Sequence, residues 1–211
     1  PVDRFLVPGG SALVIGYGSI GARHARLRAE FGYAVHVVTG NAECPWQKYS
    51  TIPPALSAAD YVLAVIANPA TRHVDTVLEL RSEGYAGRIL VEKPLASGSP
   101  ISIPLVEESI RVGYNLRFHP LLRRVRNLVS GRRIFTLNDY VGQYLPDWRP
   151  GIDYRNSVTA CASLGGGVLR ELSHELDMVL WLTGPWKRVS AQGGRVGNLE
   201  MDTDDQHSIL L

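Results

Sequence analysis

The sequence predicts an α/β protein, with a doubly wound parallel sheet in the N-terminal half and then an α+β domain whose open, mainly antiparallel sheet is incomplete. Three observations carry the prediction. The β-branched run Ser11–Ile15 ends abruptly on Gly16-Tyr17-Gly18-Ser19-Ile20-Gly21, and an amphipathic helical pattern follows at once. Strand and helix patterns then alternate as far as Val91, which calls for parallel strands covered by helices. Beyond Asn115 the pattern changes to longer strand candidates around one long helix.

In chain order, Ser11–Ile15 reads as a buried parallel strand. Ile20, Ala22, Ala25, Leu27 and Phe31 cover one side of a helix, leaving Arg23, His24, Arg26, Arg28 and Glu30 largely outside it until Gly32 stops it. Ala34–Val38 and Asp60–Ile66 are the next strands, separated by a surface loop from Pro45 to Pro54 and a short helix near Leu56. Thr71–Arg81 is helical, with Val74, Val77, Leu78 and Leu80 as its apolar positions, and Arg88–Val91 is a strand after Gly84 and Gly87. Ser109–Tyr114 is strand-like and Phe118–Val129 helical. In the second half, Arg133–Tyr144 and Lys187–Gln192 are strand candidates, and a helix runs from about Gly167 to Leu182 before Gly184-Pro185. The expected domains are 1–115 and 116–211, and neither contains a repeat or a low-complexity tract.

Composition narrows the function classes. With 45% hydrophobic and 20% charged residues and a net charge of +2, the chain is neither disordered nor fibrous. Its one basic cluster, Arg123, Arg124 and Arg126, reads as a solvated helix face flanking Leu121, Leu122 and Val125, so no nucleic-acid partner is expected. Cys44 and Cys161 lack metal-ligand spacing and are expected as reduced thiols, with no metal site. No apolar run reaches the roughly 18 residues that span a bilayer, so the expectation is a cytoplasmic protein without a membrane partner.

The glycine turn is the first motif with chemistry. Placed between a strand and a helix, Gly16 permits a tight turn, Gly18 lets backbone approach a pyrophosphate, and Gly21 lets helix and strand pack closely. The helix N-terminus adds free N–H groups and a favourable dipole. This is the Rossmann dinucleotide pattern. The second strand ends Val37-Val38-Thr39-Gly40-Asn41 without the acid that accepts from a ribose 2′-hydroxyl, which leaves NAD and NADP both open.

Two further patterns carry ionisable groups. Glu92-Lys93-Pro94 follows a strand, where an open sheet borders its ligand crevice, so Lys93 can donate to a substrate oxygen. On the helix after Gly165-Gly166-Gly167, the residues Glu171, His174 and Asp177 are spaced by three and share a face, where a histidine supported by a carboxylate serves as a general base. Taken alone, a solvated turn lysine and an ion-paired helix face explain these patterns as well.

Taken together, Gly16 to Gly21, Asn68-Pro69, Glu92-Lys93-Pro94, the run Gly113 to Pro120 (GYNLRFHP) and the triple glycine before Ser173-His174-Glu175-Leu176-Asp177 resemble the Gfo/Idh/MocA oxidoreductases. The resemblance implies reversible hydride transfer between NAD or NADP and a sugar, polyol or amino-sugar derivative. It implies cofactor contacts from Gly16, Gly18, Ser19, Ile20, Gly21, Thr39, Asn68, Pro69, Glu92 and Lys93. Lys93 then looks like the substrate-binding lysine and proton-relay member, His174 like the helix-borne acid/base, and Asp177 like its supporting acid. Glu171 is the nearest match to an aspartate that the family places a turn before the histidine, with altered spacing. Asn115 and Arg117 join the substrate set. Tyr144 and Trp148 within Gly142–Pro150, with Tyr154 and Arg155, resemble members acting on acylated amino sugars or sialic acids, and they suit stacking and carboxylate contacts.

A homo-oligomer, dimer or tetramer, accompanies the resemblance. The stretch from Pro94 to Gly113 is short for the helix and strand the family places there, and the family's sheet continues past Leu211, so a trimmed chain is expected. The contrasting expectation is a catalytically silent nucleotide-binding sensor or assembly protein that keeps the turn without a competent site.

Overall fold

All the described strands of the first unit run in the same direction. The computed structural model describes residues 9–98 and 108–211, and the chain divides into two compact units, Pro1–Gly113 and Tyr114–Leu211. The part of the Pro94–Gly113 stretch between 99 and 107 lies outside the described residues.

Along β1 (Ser11–Ile15), side chains alternate between two cores. Ala12 and Val14 point to one face with Val35, Val37, Val65 and Ala25, while Leu13 and Ile15 point to the other with Ala64, Ile66, Ile89, Val91, Val77 and Leu80. A strand apolar on both faces has to be covered on both. Helix α1 (Ser19–Glu30) supplies Ala25 to the first core. Helices α2 (Ile52–Ala58) and α3 (His73–Ser82) supply Ile52, Ala55, Val77 and Leu80 to the second. With β2 (Ala34–Val38), β3 (Gln47–Tyr49), β4 (Tyr61–Ile66), β5 (Arg88–Val91) and β6 (Ile110–Val112), the sheet order is β3-β2-β1-β4-β5-β6. This is the doubly wound dinucleotide-binding order, with the strand sequence reversing beside β1.

One expectation fails in this unit. The stretch from Pro45 to Pro54 is not simply a loop: Gln47–Tyr49 pairs with His36–Val38 as an edge strand, and α2 begins at Ile52. The side chains of β3 are exposed or half-buried, so no apolar alternation announces it.

The second unit holds α4 (Pro120–Val129), α5 (Leu145–Trp148), α6 (Val168–Glu171) and α7 (Ser173–Thr183), joined by short 3₁₀ turns, and an antiparallel pair, β7 (Ser190–Gly194) and β8 (Gln206–Leu210). Two further expectations are corrected here. Residues 133–144 form no strand, because β-branched composition favours extension whereas a strand also needs a ladder partner, and the described residues offer none. The helix expected from Gly167 to Leu182 is broken at Leu172 (φ −102°, ψ 28°) into α6 and α7. Nor is Arg126 simply solvated: its guanidinium lies 4.5 Å from the centre of the Trp181 ring and donates to the Trp181 carbonyl at 2.5 Å. Cys44 and Cys161 are free thiols.

Candidate active site

The glycine turn has three kinds of surroundings. Gly16 adopts φ +95°, donates its N–H to the Val38 carbonyl at 2.9 Å, and faces Asn68 N at 2.6 Å from where a Cβ would stand. A Cβ on Gly21 would fall 2.0 Å from the Gly16 carbonyl oxygen, so this glycine sets the closeness of turn and helix. A Cβ on Gly18 would meet no other atom of the described residues within 4 Å, which leaves space where a ligand's phosphates would approach. No side chain caps the N-terminus of α1 and no acid stands in its first turn; Ser19 and Ile20 are exposed there. Its positive dipole end therefore faces the open side of Gly18.

Beside this turn, β2 ends without a carboxylate. The Thr39 N–H donates to the Tyr49 carbonyl at 2.9 Å, and its hydroxyl accepts from Asn41 N at 3.0 Å. Lys48 fastens the same loop by donating to the Ala42 carbonyl at 3.0 Å.

The loop after β4 is held by α3. Asn68 Nδ2 donates to Thr76 Oγ1 at 2.7 Å, while Asn68 Oδ1 is buried with no hydrogen-bond partner among the described residues. A buried acceptor left open at the carboxyl end of β4 is what an amide-bearing ring bound along this edge would fill. Pro69 follows it, exposed. Gly18 and Asn68 together fit a dinucleotide.

After β5, Glu92 turns inward rather than to solvent. Its carboxylate lies 2.6 Å from His24 Nε2 on α1, and a Cβ on Gly113 would stand 3.3 Å from it. Burial pushes the Glu92 carboxyl up, but hydrogen bonding and charge from His24, the Lys93 backbone N–H and the Lys93 charge outweigh it and hold it below its ordinary value. Sequence reasoning placed His24 on a solvated face, yet its side chain is only 16% exposed. The one available signal was its position a single turn after Gly21, where α1 passes the strand ends. Lys93 is half-buried beside this pair.

In the second unit, α7 carries His174 and Asp177 one turn apart, and both meet the segment that begins at Tyr114. The Tyr114 ring stands edge-on to His174, with centroids 5.7 Å apart. Arg117, in the 3₁₀ turn Asn115–Phe118, donates Nε to Asp177 Oδ2 at 2.7 Å and Nη2 to Oδ1 at 2.5 Å. Hydrogen bonding to Asp177 holds the Arg117 guanidinium above its ordinary range. The two residues expected to contact substrate or support His174 are thus paired with each other. Asn115 is exposed on the same turn.

Glu171 does not share the face of His174 and Asp177 on one helix as expected, since it closes α6 on the far side of the Leu172 break. Its glycines pack tightly: a Cβ on Gly166 would fall 2.0 Å from the Val158 carbonyl oxygen, and one on Gly167 would fall 2.2 Å from Asp204 Oδ1. Asp204 also accepts from Leu169 N at 3.1 Å.

The expected sugar-binding residues divide. Tyr144 and Trp148 line one open concavity of this unit with Leu169, Leu172 and Glu175. Tyr154 and Arg155 lie outside its lining. The Tyr154 hydroxyl accepts from Glu200 N at 3.0 Å, and Arg155 donates to Asp153 at 2.8–3.0 Å and to Glu200 at 3.3 Å. Among the described residues there is no cluster of three His, Cys, Asp or Glu suited to a metal, and no helix is long and apolar enough to cross a membrane.

Comparison with known proteins bears on both units. Residues 122–211 match the family model of the GFO/IDH/MocA C-terminal domain. The chain is 27% identical over 187 residues to the rhizopine catabolism protein MocA of Rhizobium meliloti, a match covering 81% of this chain and 56% of that protein. Its fold resembles the WlbA dehydrogenase of Bordetella pertussis, solved with NADH and UDP-GlcNAcA, with TM-score 0.72 and 16% identity over 95% of this chain and 66% of that one. It also resembles a myo-inositol dehydrogenase of Corynebacterium glutamicum, with TM-score 0.66 and 21% identity over 95% of this chain and 64% of the other. The chain therefore spans between half and two thirds of the length of these relatives.

Proposed function

We propose that this chain is a Gfo/Idh/MocA protein and acts in an NAD- or NADP-dependent oxidoreductase that interconverts a CH–OH carbon and its carbonyl in a sugar, polyol or amino-sugar derivative. One observation carries the reading: a glycine turn whose Gly18 is open to a ligand, on the first strand of a β3-β2-β1-β4-β5-β6 parallel sheet.

The cofactor, when bound, supplies the hydride acceptor or donor. The chain supplies the remainder. Gly16, Gly18, Ser19, Ile20 and Gly21 would hold the pyrophosphate at the α1 N-terminus, and Thr39, Asn68, Pro69 and Glu92 would contact the rest of the dinucleotide. Lys93 donates to the substrate oxygen and polarises it, while His174 removes the hydroxyl proton in oxidation and returns it in reduction. Asp177 acts on this site through Arg117, fixing the Asn115–Phe118 turn against α7. Tyr144 and Trp148 offer aromatic surface to a sugar face. The reading includes a small sugar-like substrate and a cytoplasmic homo-oligomer, and exposed Leu121, Leu128 and Phe135 support a partner surface.

The test is a screen of sugars, inositols and nucleotide-linked amino sugars, following the absorbance of reduced nicotinamide. Turnover of one class that His174→Ala abolishes supports the reading. A folded protein that binds coenzyme but turns over none of these would move the substrate class elsewhere.

A further inference from the structure

The Asn68-Pro69 and Lys93-Pro94 loops leave adjacent strands of the sheet, β4 and β5, and one buried side chain touches both. His73, the first residue of α3, is 2% exposed. Its Nδ1 lies 2.8 Å from the Pro94 carbonyl oxygen and its Nε2 lies 2.9 Å from the Asn68 carbonyl oxygen. Both partners are carbonyls, which only accept. A neutral imidazole has one N–H and one lone pair, so it satisfies one contact and sets lone pair against lone pair at the other. An imidazolium donates at both.

We propose that His73 is held as the imidazolium and serves as a positioning residue, bonded at once to the Asn68 and Pro94 carbonyls, so that it sets the Lys93 loop against the Asn68 loop. The role in turnover rests on the reading of Lys93 as the donor to the substrate oxygen; the charge state of His73 does not. Burial opposes the charge, and two charge-assisted hydrogen bonds offset it. Asp75 shares the first turn of α3 with His73, Arg72 precedes it, and Glu92 and Lys93 stand in the loop that leads to Pro94.

The geometry also separates the two bonds. Asparagine places its amide nitrogen where Nδ1 stands and can keep the Pro94 bond, whereas glutamine reaches the position of Nε2 and can keep the Asn68 bond. If the Pro94 bond positions Lys93, the two variants will differ.

The experiment uses the full chain labelled with ¹⁵N-histidine. The His73 ring is identified by the signal lost in His73→Gln or, should that variant not fold, in His73→Asn. At about pH 7.5, where an ordinary histidine is neutral, His73 is expected to show two protonated ring nitrogens. A single pyridine-type nitrogen on His73 would overturn the proposal. In turnover, His73→Asn is expected to keep kcat within about threefold, and His73→Gln to lose roughly tenfold to a hundredfold, with the Kd for coenzyme within about threefold in both. Equal losses in kcat, or a loss carried wholly by coenzyme Kd, would contradict the positioning role. If the wild-type protein turns over no substrate, the oxidoreductase reading fails, and the nitrogen signals still decide the state of His73.

Discussion

Arg117 and Asp177, 60 residues apart, meet through two parallel hydrogen bonds of 2.7 and 2.5 Å, with the Asp177 side chain 7% exposed and the Arg117 side chain 40% exposed. The pair ties the first turn of the second unit to the helix that carries His174. Removing one partner strands a buried charge, so Arg117→Ala is expected to destabilise by about 2–4 kcal/mol. The double variant Arg117→Ala/Asp177→Ala is expected to be less destabilised than the sum of the singles by about 1–3 kcal/mol. Denaturant midpoints of the four proteins check this. Additive losses would mean that the pair is not coupled.

The turn glycines predict opposite outcomes for the same added methyl group. Gly21→Ala drives a Cβ to 2.0 Å from the Gly16 carbonyl oxygen and is expected to cost about 2 kcal/mol or more. Gly18→Ala meets nothing, at φ −81°, and is expected to leave stability within about 1 kcal/mol while weakening coenzyme binding. Thermal melts with and without coenzyme separate the two effects.

The strands of the first unit were readable because a sheet buried on both faces demands continuous apolar runs, as in Ser11–Ile15 and Tyr61–Ile66. The polar edge strand Gln47–Tyr49 was not, since only backbone pairing with β2 defines it. Within the candidate site, the glycine turn is legible from its place between a strand and a helix, whereas Lys93 and His174 emerge only through the combined resemblance of several motifs to one family. His24, His73 and the Arg117–Asp177 pair do not, because each is defined by a contact between segments distant in the chain, which periodicity does not encode. Nor did the break at Leu172 show, since the apolar pattern runs through it.

Acid should weaken the first unit through Glu92. Its folded pKa lies below the ordinary value of 4.5, so the carboxylate's contribution is fully present above that value and is lost as pH falls through the folded pKa. His24→Ala is therefore expected to lower the melting temperature at about pH 7 and to converge with the wild type as the pH falls through the folded pKa of Glu92. A constant offset at every pH would mean that His24 acts by packing alone.

His174→Ala and Lys93→Met are each expected to lower kcat by roughly 10²–10⁴-fold, with the coenzyme Kd little changed for His174→Ala. Steady-state kinetics on the substrate found by screening, with coenzyme titrated separately, check this. Retention of full kcat by His174→Ala would remove it from the proton-transfer role.

The central claim is that the first unit binds a nicotinamide dinucleotide across Gly18, and titration of the chain with NADH and NADPH tests it most directly when repeated on Gly18→Asp. Saturable binding of one coenzyme by the wild type, lost in a Gly18→Asp protein of unchanged melting temperature, is the predicted result, because a carboxylate there would repel a pyrophosphate while the Cβ that bears it meets no other described atom within 4 Å. No binding of either coenzyme by folded wild-type protein, or undiminished binding by Gly18→Asp, would contradict it.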